Sequence, residues 1–315
     1  MRLAFMGTAA FAVPSLEALV SARHSVTAVV TQPDRPSGRG RRVHFSPIKE
    51  AALSLGLGVE QPESFKTERI RETIEDLSAE LIVVVAYGKI LPAWLIELPR
   101  YGIVNLHGSL LPKYRGASPI NRAIANGDAV TGVCTMQIDE GMDTGPVYFC
   151  EQTEIAHDET APLLANRLAQ LGASLLVRTL VAIEQGSVNP TPQDESLASM
   201  APRLRKEDGY IDWHESGTAI HNKVRAFLPW PSVVVGFRGK TCRILGSQCS
   251  GAVAENCEPG TIVFVSNRLT VSCGDGQWLE IKRLQLENKN PVSGTDFANG
   301  VHLVPGDRFT TINRP

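Results

Sequence analysis

The chain has 315 residues, 43% of them apolar and 20% charged, with a net charge of −2. That composition belongs to a folded globular protein of a length that suits two domains, and it excludes an intrinsically disordered chain. The balanced charge gives no global nucleic-acid signal, and the longest strongly apolar stretch, Leu81-Ile82-Val83-Val84-Val85-Ala86, is far too short to span a bilayer.

Leu3-Ala4-Phe5-Met6 reads as a first strand. The Met1-Arg2 start lacks the long apolar region of a secretory signal, so a cytoplasmic protein is expected. Residues 12–22 read as a helix with Pro14 in the first turn, where its missing N–H costs little. Val26-Thr27-Ala28-Val29-Val30 is a second strand, and residues 46–56 and 66–78 are helices. The apolar run from Leu81 has the continuous character of a buried parallel strand, and residues 102–107 supply another. Residues 117–126 are helical, 132–138 alternate as a strand, and 160–185 form a long helix. This alternation predicts a Rossmann-like, doubly wound parallel α/β domain.

The second half changes character. Residues 186–206 hold Pro190, Pro192 and Pro202 among few apolar residues, as a linker does. Residues 215–227 read as a helix with His221 and Arg225 on one face, turned to a partner or to solvent. Short strands follow at 233–237, 242–245, 261–265, 269–271 and 279–286, punctuated by glycines, which predicts a small β-barrel. Trp213 and Trp230 are expected in its core. The division is a catalytic domain over 1–189, a linker over 190–206 and a barrel over 207–315. Residues 203–315 hold 14 Lys and Arg against 11 Asp and Glu, and the rest of the chain 17 against 22. A mildly basic C-terminal part is compatible with a polyanionic partner. The six cysteines form no C-x-x-C pair and show no zinc-ligand spacing, so reduced thiols and no metal are expected.

Asn105 and His107 end the apolar run Gly102-Ile103-Val104-Asn105-Leu106-His107. Side chains two apart on a strand share a face. An amide and an imidazole therefore emerge together at a strand's carboxyl end, where open α/β sheets place their ligands. A Gly-, Pro- and hydroxyl-rich loop follows, from Gly108 to Pro119, and Asp143 lies in Asp139-Glu140-Gly141-Met142-Asp143-Thr144-Gly145. An amide donor, a group that exchanges protons near neutral pH and a carboxylate to orient it suit acyl transfer. Gly7-Thr8-Ala9-Ala10-Phe11 and Asp34 sit where a dinucleotide site would, but the G-x-G-x-x-G fingerprint is absent, which argues against a dehydrogenase. Residues 33–49 hold Arg35, Arg39, Arg41, Arg42 and Lys49 against Asp34 alone, leaving a strand on the edge that carries the site.

The segments Asn105-Leu106-His107-Gly108-Ser109-Leu110-Leu111-Pro112 and Asp139 to Gly145, with Thr31 to Gly40 and Arg225-Ala226-Phe227-Leu228-Pro229-Trp230-Pro231, resemble the methionyl-tRNA formyltransferase family from near residue 2 to about residue 309. The resemblance implies formyl transfer from 10-formyltetrahydrofolate to the amine of methionyl initiator tRNA, with Asn105, His107 and Asp143 catalytic. It implies that Ser109, Leu110, Leu111 and Pro112 hold the folate's pterin, and that Arg35, Arg39, Arg41 and Arg42 meet the tRNA acceptor stem. It also implies an OB-like barrel and a monomer without a membrane anchor. Two other readings stand beside it: a formyltransferase acting on an amino sugar nucleotide, and a non-catalytic RNA-binding protein built from a degenerate enzyme domain.

Overall fold

The computed structural model describes residues 1–37, 42–253 and 257–312. The chain forms two compact units. One holds residues 1–119, 130–154 and 165–202; the other holds 120–129, 155–164 and 203–315.

Among its described residues the first unit has nine strands: β1 (Arg2–Gly7), β2 (Ser25–Val30), β3 (Arg35–Ser37), β4 (Arg42–His44), β5 (Val59–Glu60), β6 (Leu81–Val85), β7 (Ile103–His107), β8 (Val130–Gln137) and β9 (Val147–Glu154). Seven of them make one sheet in the order β5-β2-β1-β6-β7-β8-β9. Strands β5 to β7 of that path are parallel, and β8 and β9 add an antiparallel edge. The doubly wound domain is therefore present, with a mixed rather than wholly parallel sheet. The edge strand β9 and the short β5 were not legible in the sequence. Among the described residues, strands β3 and β4 pair only with each other, and residues 38–41 between them lie outside the described residues.

Helices α1 (Val13–Ser21), α2 (Pro47–Ser54), α3 (Glu68–Asp76) and α4 (Ala93–Ile96) follow strands as the alternation requires. Pro14 lies in the first turn of α1 as expected, and the Ser46 hydroxyl caps α2 by accepting from the Lys49 N–H. Helix α5 (Pro119–Ala125) precedes β8, and the long α6 (Ala161–Glu184) follows β9. All five residues of β6 and of β7 are buried, which explains their apolar runs. Gly172 of α6 lies on Leu106 of β7, and a Cβ there would come within 2.6 Å of the leucine. Leu106 is thus sealed on the sheet face opposite to Asn105 and His107, its neighbours in sequence.

Cys134 on β8 stands directly opposite Cys150 on β9, with Cα atoms 4.1 Å apart, and their sulfurs are bonded. This corrects the expectation of reduced thiols throughout. The pairing is a matter of strand register, which sequence spacing does not reveal.

The second unit holds α7 (Gly217–Ala226), α8 (Gly294–Val301) and the strands β10 (Val233–Phe237), β11 (Lys240–Val253), β12 (Ile262–Val265), β13 (Arg268–Ser272), β14 (Gln277–Leu286), β15 (Val292–Ser293) and β16 (Phe309–Thr310). The path β12-β13-β14-β11-β10-β16 is antiparallel throughout. A bridge between Thr261 and Arg308 brings its two ends together, which gives the small barrel that was expected. Its core packs Trp213, Phe237, Phe297 and Phe309 ring against ring. Trp230, expected in that core, is instead 53% exposed. His221 and Arg225, read as surface residues of α7, are both buried. The guanidinium donates to the backbone carbonyls of Ala156 and Glu159 and to Asn222 Oδ1, so it serves its own unit.

Candidate active site

Asn105 and His107 project from the same face of β7 at its carboxyl end, as the spacing required. Both are at least nine-tenths buried. His107 Nε2 lies 2.9 Å from the Tyr114 carbonyl oxygen. A carbonyl can only accept, so Nε2 carries the hydrogen and Nδ1 is the nitrogen left to gain or lose a proton. Nδ1 faces Asp143, 3.6 Å from Oδ2. That same carboxylate oxygen accepts from the Gly116 N–H at 2.8 Å. Oδ1 of Asp143 and the amide of Asn105 have no partner among the described residues.

The motif around Asp143 now has a physical account. Asp139 Oδ1 accepts from the Gly141 N–H at 3.0 Å and the Thr144 hydroxyl at 2.7 Å, closing the turn on itself. Gly145 admits no side chain, because a Cβ would sit 1.9 Å from the Gln137 carbonyl oxygen. Asp143 has φ +55, in the left-handed region that Asp tolerates better than most side chains. Gln193 holds the turn from outside, donating to the Asp143 carbonyl at 2.8 Å and to the Gly145 carbonyl at 2.7 Å.

The loop after His107 is equally constrained. Ser109 is fully buried, and its hydroxyl donates to the Lys113 carbonyl, so it shapes the loop rather than facing outward. Leu110, Leu111 and Pro112 are half-buried. Leu110 lies against β8 at Gly132, where a Cβ would meet it at 2.5 Å. The Leu111 N–H points at Cys134 Sγ, 3.3 Å away, on the residue paired with His107 on β8. Farther along, the backbone of 112–118 is stitched to residues 199–201 through Ser199, Ala201 and the Ser199 hydroxyl.

Asp34, which could have bound a ribose, is occupied by Lys49 and Gln61. The Lys49 ammonium, with Gln61 second, holds the Asp34 carboxyl below the usual carboxylate range. Arg35 is exposed at the base of the β3–β4 hairpin. Arg39 and Arg41 lie outside the described residues, and Arg42 begins β4.

Among the described residues, His157, Asp158 and His221 of the second unit form a group whose potential ligand atoms lie within 4.8 Å of one another. The His221 ring lies between Ser247 Oγ on one side and Asp158 Oδ1 with the His157 carbonyl on the other. Burial holds the His221 imidazole below its ordinary value. No helix among the described residues is long and apolar enough to cross a membrane.

Sequence reasoning placed Asn105, His107 and Asp143 together. It missed Gln193, bonded to the Asp143 turn, Arg115, bonded to Gln193, and the Tyr114 carbonyl, bonded to His107, because none carries a local pattern.

Residues 1–180 match the formyl transferase family, and residues 203–302 match the formyl transferase C-terminal domain. The methionyl-tRNA formyltransferase of Acidobacterium capsulatum is 49% identical over 98% of this chain and 99% of its own length. That of Koribacter versatilis is also 49% identical, over 98% of each. Among solved structures, the sugar 3N-formyl transferase WlaRD, crystallised in the presence of dTDP and 5-N-formyl-THF, superposes with a TM-score of 0.69 over 92% of this chain and 99% of that one. At 18% identity that likeness is one of fold.

Proposed function

The chain belongs to the formyl transferase family, and from that membership and its end-to-end kinship with methionyl-tRNA formyltransferases we infer that it moves a formyl group from 10-formyltetrahydrofolate to the α-amine of methionyl initiator tRNA. The observation that carries the mechanism is the convergence of an amide without a partner among the described residues, an imidazole nitrogen and a carboxylate 21% exposed, at one strand end.

The folate supplies an activated formyl group bound to nitrogen, and the protein supplies everything else. The half-buried Leu110, Leu111 and Pro112 offer apolar surface to a flat ring, with buried Ser109 closing the loop beneath them. Asn105 donates its unpartnered N–H to the formyl oxygen as that oxygen takes up negative charge. Asp143, through its free Oδ1, accepts the proton that the amine loses as its new N–C bond forms. His107 Nδ1, which faces Oδ2 of the same carboxylate, takes up the proton in turn, and the imidazolium is then stabilised by the carboxylate beside it. The pair then returns the proton to the folate nitrogen as the old C–N bond breaks, so the site ends as it began.

We assign chemistry to residues 1–189 and tRNA binding to the barrel of 207–315 together with Arg35, Arg39, Arg41 and Arg42. Basic residues outnumber acidic ones across 203–315, 14 against 11, with Arg203, Arg205 and Lys206 ahead of the barrel supplying the excess, and this balance together with the arginines at 35–42 supports the division. The reading needs no metal, because Asn105 and His107 can themselves polarise the carbonyl. It fits a cytoplasmic monomer.

The deciding experiment is transfer of labelled formyl from 10-formyltetrahydrofolate to purified methionyl initiator tRNA, with an amino sugar nucleotide offered in parallel. Formyl-methionyl-tRNA as product is the expected result. Transfer to the sugar alone would overturn the acceptor while keeping the site's chemistry. Transfer to neither acceptor, with tRNA still bound, would leave a binding protein.

A further inference from the structure

We propose that Gln193 is a positioning residue for formyl transfer, holding the turn that presents Asp143 while Arg115 fixes the direction of its amide. The inference rests on the formyl-transfer reading of the site.

Gln193 lies in the proline-rich stretch that sequence alone reads as a linker, 50 residues from Asp143. Every hydrogen-bonding capacity of its amide is used. The two amide hydrogens go to the carbonyls of Asp143 and Gly145. The amide oxygen accepts from Arg115 Nε at 3.0 Å and Nη2 at 2.9 Å. An amide satisfied on both sides has only one workable orientation, since a flip would set its oxygen against two carbonyl oxygens and its hydrogens against a guanidinium. Arg115 is itself buried and is held by a two-pronged pair with Glu195, at 2.9 and 2.7 Å. Glu195 raises the Arg115 guanidinium further above its ordinary value, and the arginine in turn holds the Glu195 carboxyl low. The clasp therefore stays charged and intact across neutral pH.

The same stretch also reaches the other catalytic group. Ser199 and Ala201 bond the backbone of Tyr114 and Arg115, and the Tyr114 carbonyl orients His107. Asp143 and His107 sit 3.6 Å apart, the first on the turn between β8 and β9 and the second at the end of β7. Residues 193–201 thus bond both the loop after His107 and the turn of Asp143, each of which holds a left-handed residue, Tyr114 at φ +62 and Asp143 at φ +55, and Gln193 holds the turn.

The test uses the full chain with Gln193→Glu and Gln193→Ala. Glutamate keeps the shape and the Arg115 contact but has no hydrogens for the two carbonyls. Steady-state formyl transfer to methionyl initiator tRNA should show kcat lowered on the order of 10- to 100-fold in both variants, the scale of a small displacement of a catalytic group. KM for folate and for tRNA should stay within about twofold, because binding surfaces are untouched. The pH–rate profile should shift in both variants, since the Asp143–His107 pair is no longer held at one separation. A kcat within about twofold of wild type would overturn the proposal, as would a rise in KM alone with the pH profile intact. Should Gln193→Glu not fold, as judged by its melting curve, Gln193→Ala decides by the same criteria. A wild-type chain without transferase activity would instead overturn the functional reading on which the proposal rests.

Discussion

Asn105, His107 and Asp143 differ in what each has left to offer. The Asn105 amide is uncommitted within the described protein, His107 has committed Nε2 and keeps Nδ1, and Asp143 has committed Oδ2 and keeps Oδ1. Replacing Asn105 by Ala should therefore lower kcat by roughly 10²–10³ while the protein folds normally, which is the scale of losing one donor to a developing oxyanion. Single-turnover rates on the purified variant check this, and an unchanged rate would remove Asn105 from the mechanism. His107→Ala and Asp143→Ala should each cost about 10²-fold or more. Because the two act as one proton-handling pair, the double variant should cost little more than the worse single one. Additive losses would mean that they act separately. The separation of roles was legible only in part. The spacing of Asn105 and His107 announces a shared face, but nothing in it says which imidazole nitrogen is tied down.

At the scale of elements, β3 and β4 flank the arginine-rich segment in the chain, and α7 shows how a helix face can mislead. Replacing Arg35, Arg39, Arg41 and Arg42 by Gln should raise KM for tRNA and leave KM for folate unchanged. The dependence of tRNA binding on salt should become shallower by roughly 0.7 to 0.9 in log–log slope for each phosphate that is no longer neutralised. Filter binding across a salt series, with folate kinetics alongside, makes the comparison. Equal losses for both substrates would place the hairpin at the folate rather than the RNA. His221 and Arg225 do share a face of α7, as their spacing says. That face is buried, because the periodicity of a helix tells which residues lie together and not whether another element covers them.

For the whole molecule, two kinds of buried group bound the pH range of stability. Burial lowers the His221 imidazole below 6.5, and His24 shifts the same way. Above about pH 6.5 both folded and unfolded chains hold these rings neutral, and their contribution is complete. As pH falls below that, the unfolded chain takes up protons that the fold refuses, and stability drops. The thiols of Cys242 and Cys273 are pushed from 9.0 up to about 12 by burial. Their contribution is complete below pH 9.0 and fades as pH rises toward 12, where the unfolded chain loses protons that the fold retains. Denaturant midpoints measured from about pH 5 to about pH 11 should therefore show a plateau with two falling sides. His221→Gln should flatten the acid side in part, with His24 supplying the remainder. A midpoint that climbs steadily toward low pH would contradict the burial argument. In native protein at neutral pH, Cys242 and Cys273 should also resist alkylation, and rapid labelling of either would show that the barrel opens readily.

The amino-acid sequence by itself determined the alternation of strands and helices, the barrel after the proline-rich stretch, and the common face of Asn105 and His107. These follow from local periods, 2 for a strand and 3.6 for a helix, which the backbone imposes on any sequence that buries one side. The tertiary structure decided the rest. It made the sheet mixed by running β8 antiparallel to β7, and the register of β9 against β8 set Cys134 against Cys150. It left Trp230 exposed while burying Trp213. It turned residues 193–201 from a connector into the support of the Asp143 turn, and gave Tyr114 the task of orienting His107. Each of these is a pairing between segments distant in the chain. A local pattern fixes where a side chain points along its own element, but only the packing of elements fixes what it points at.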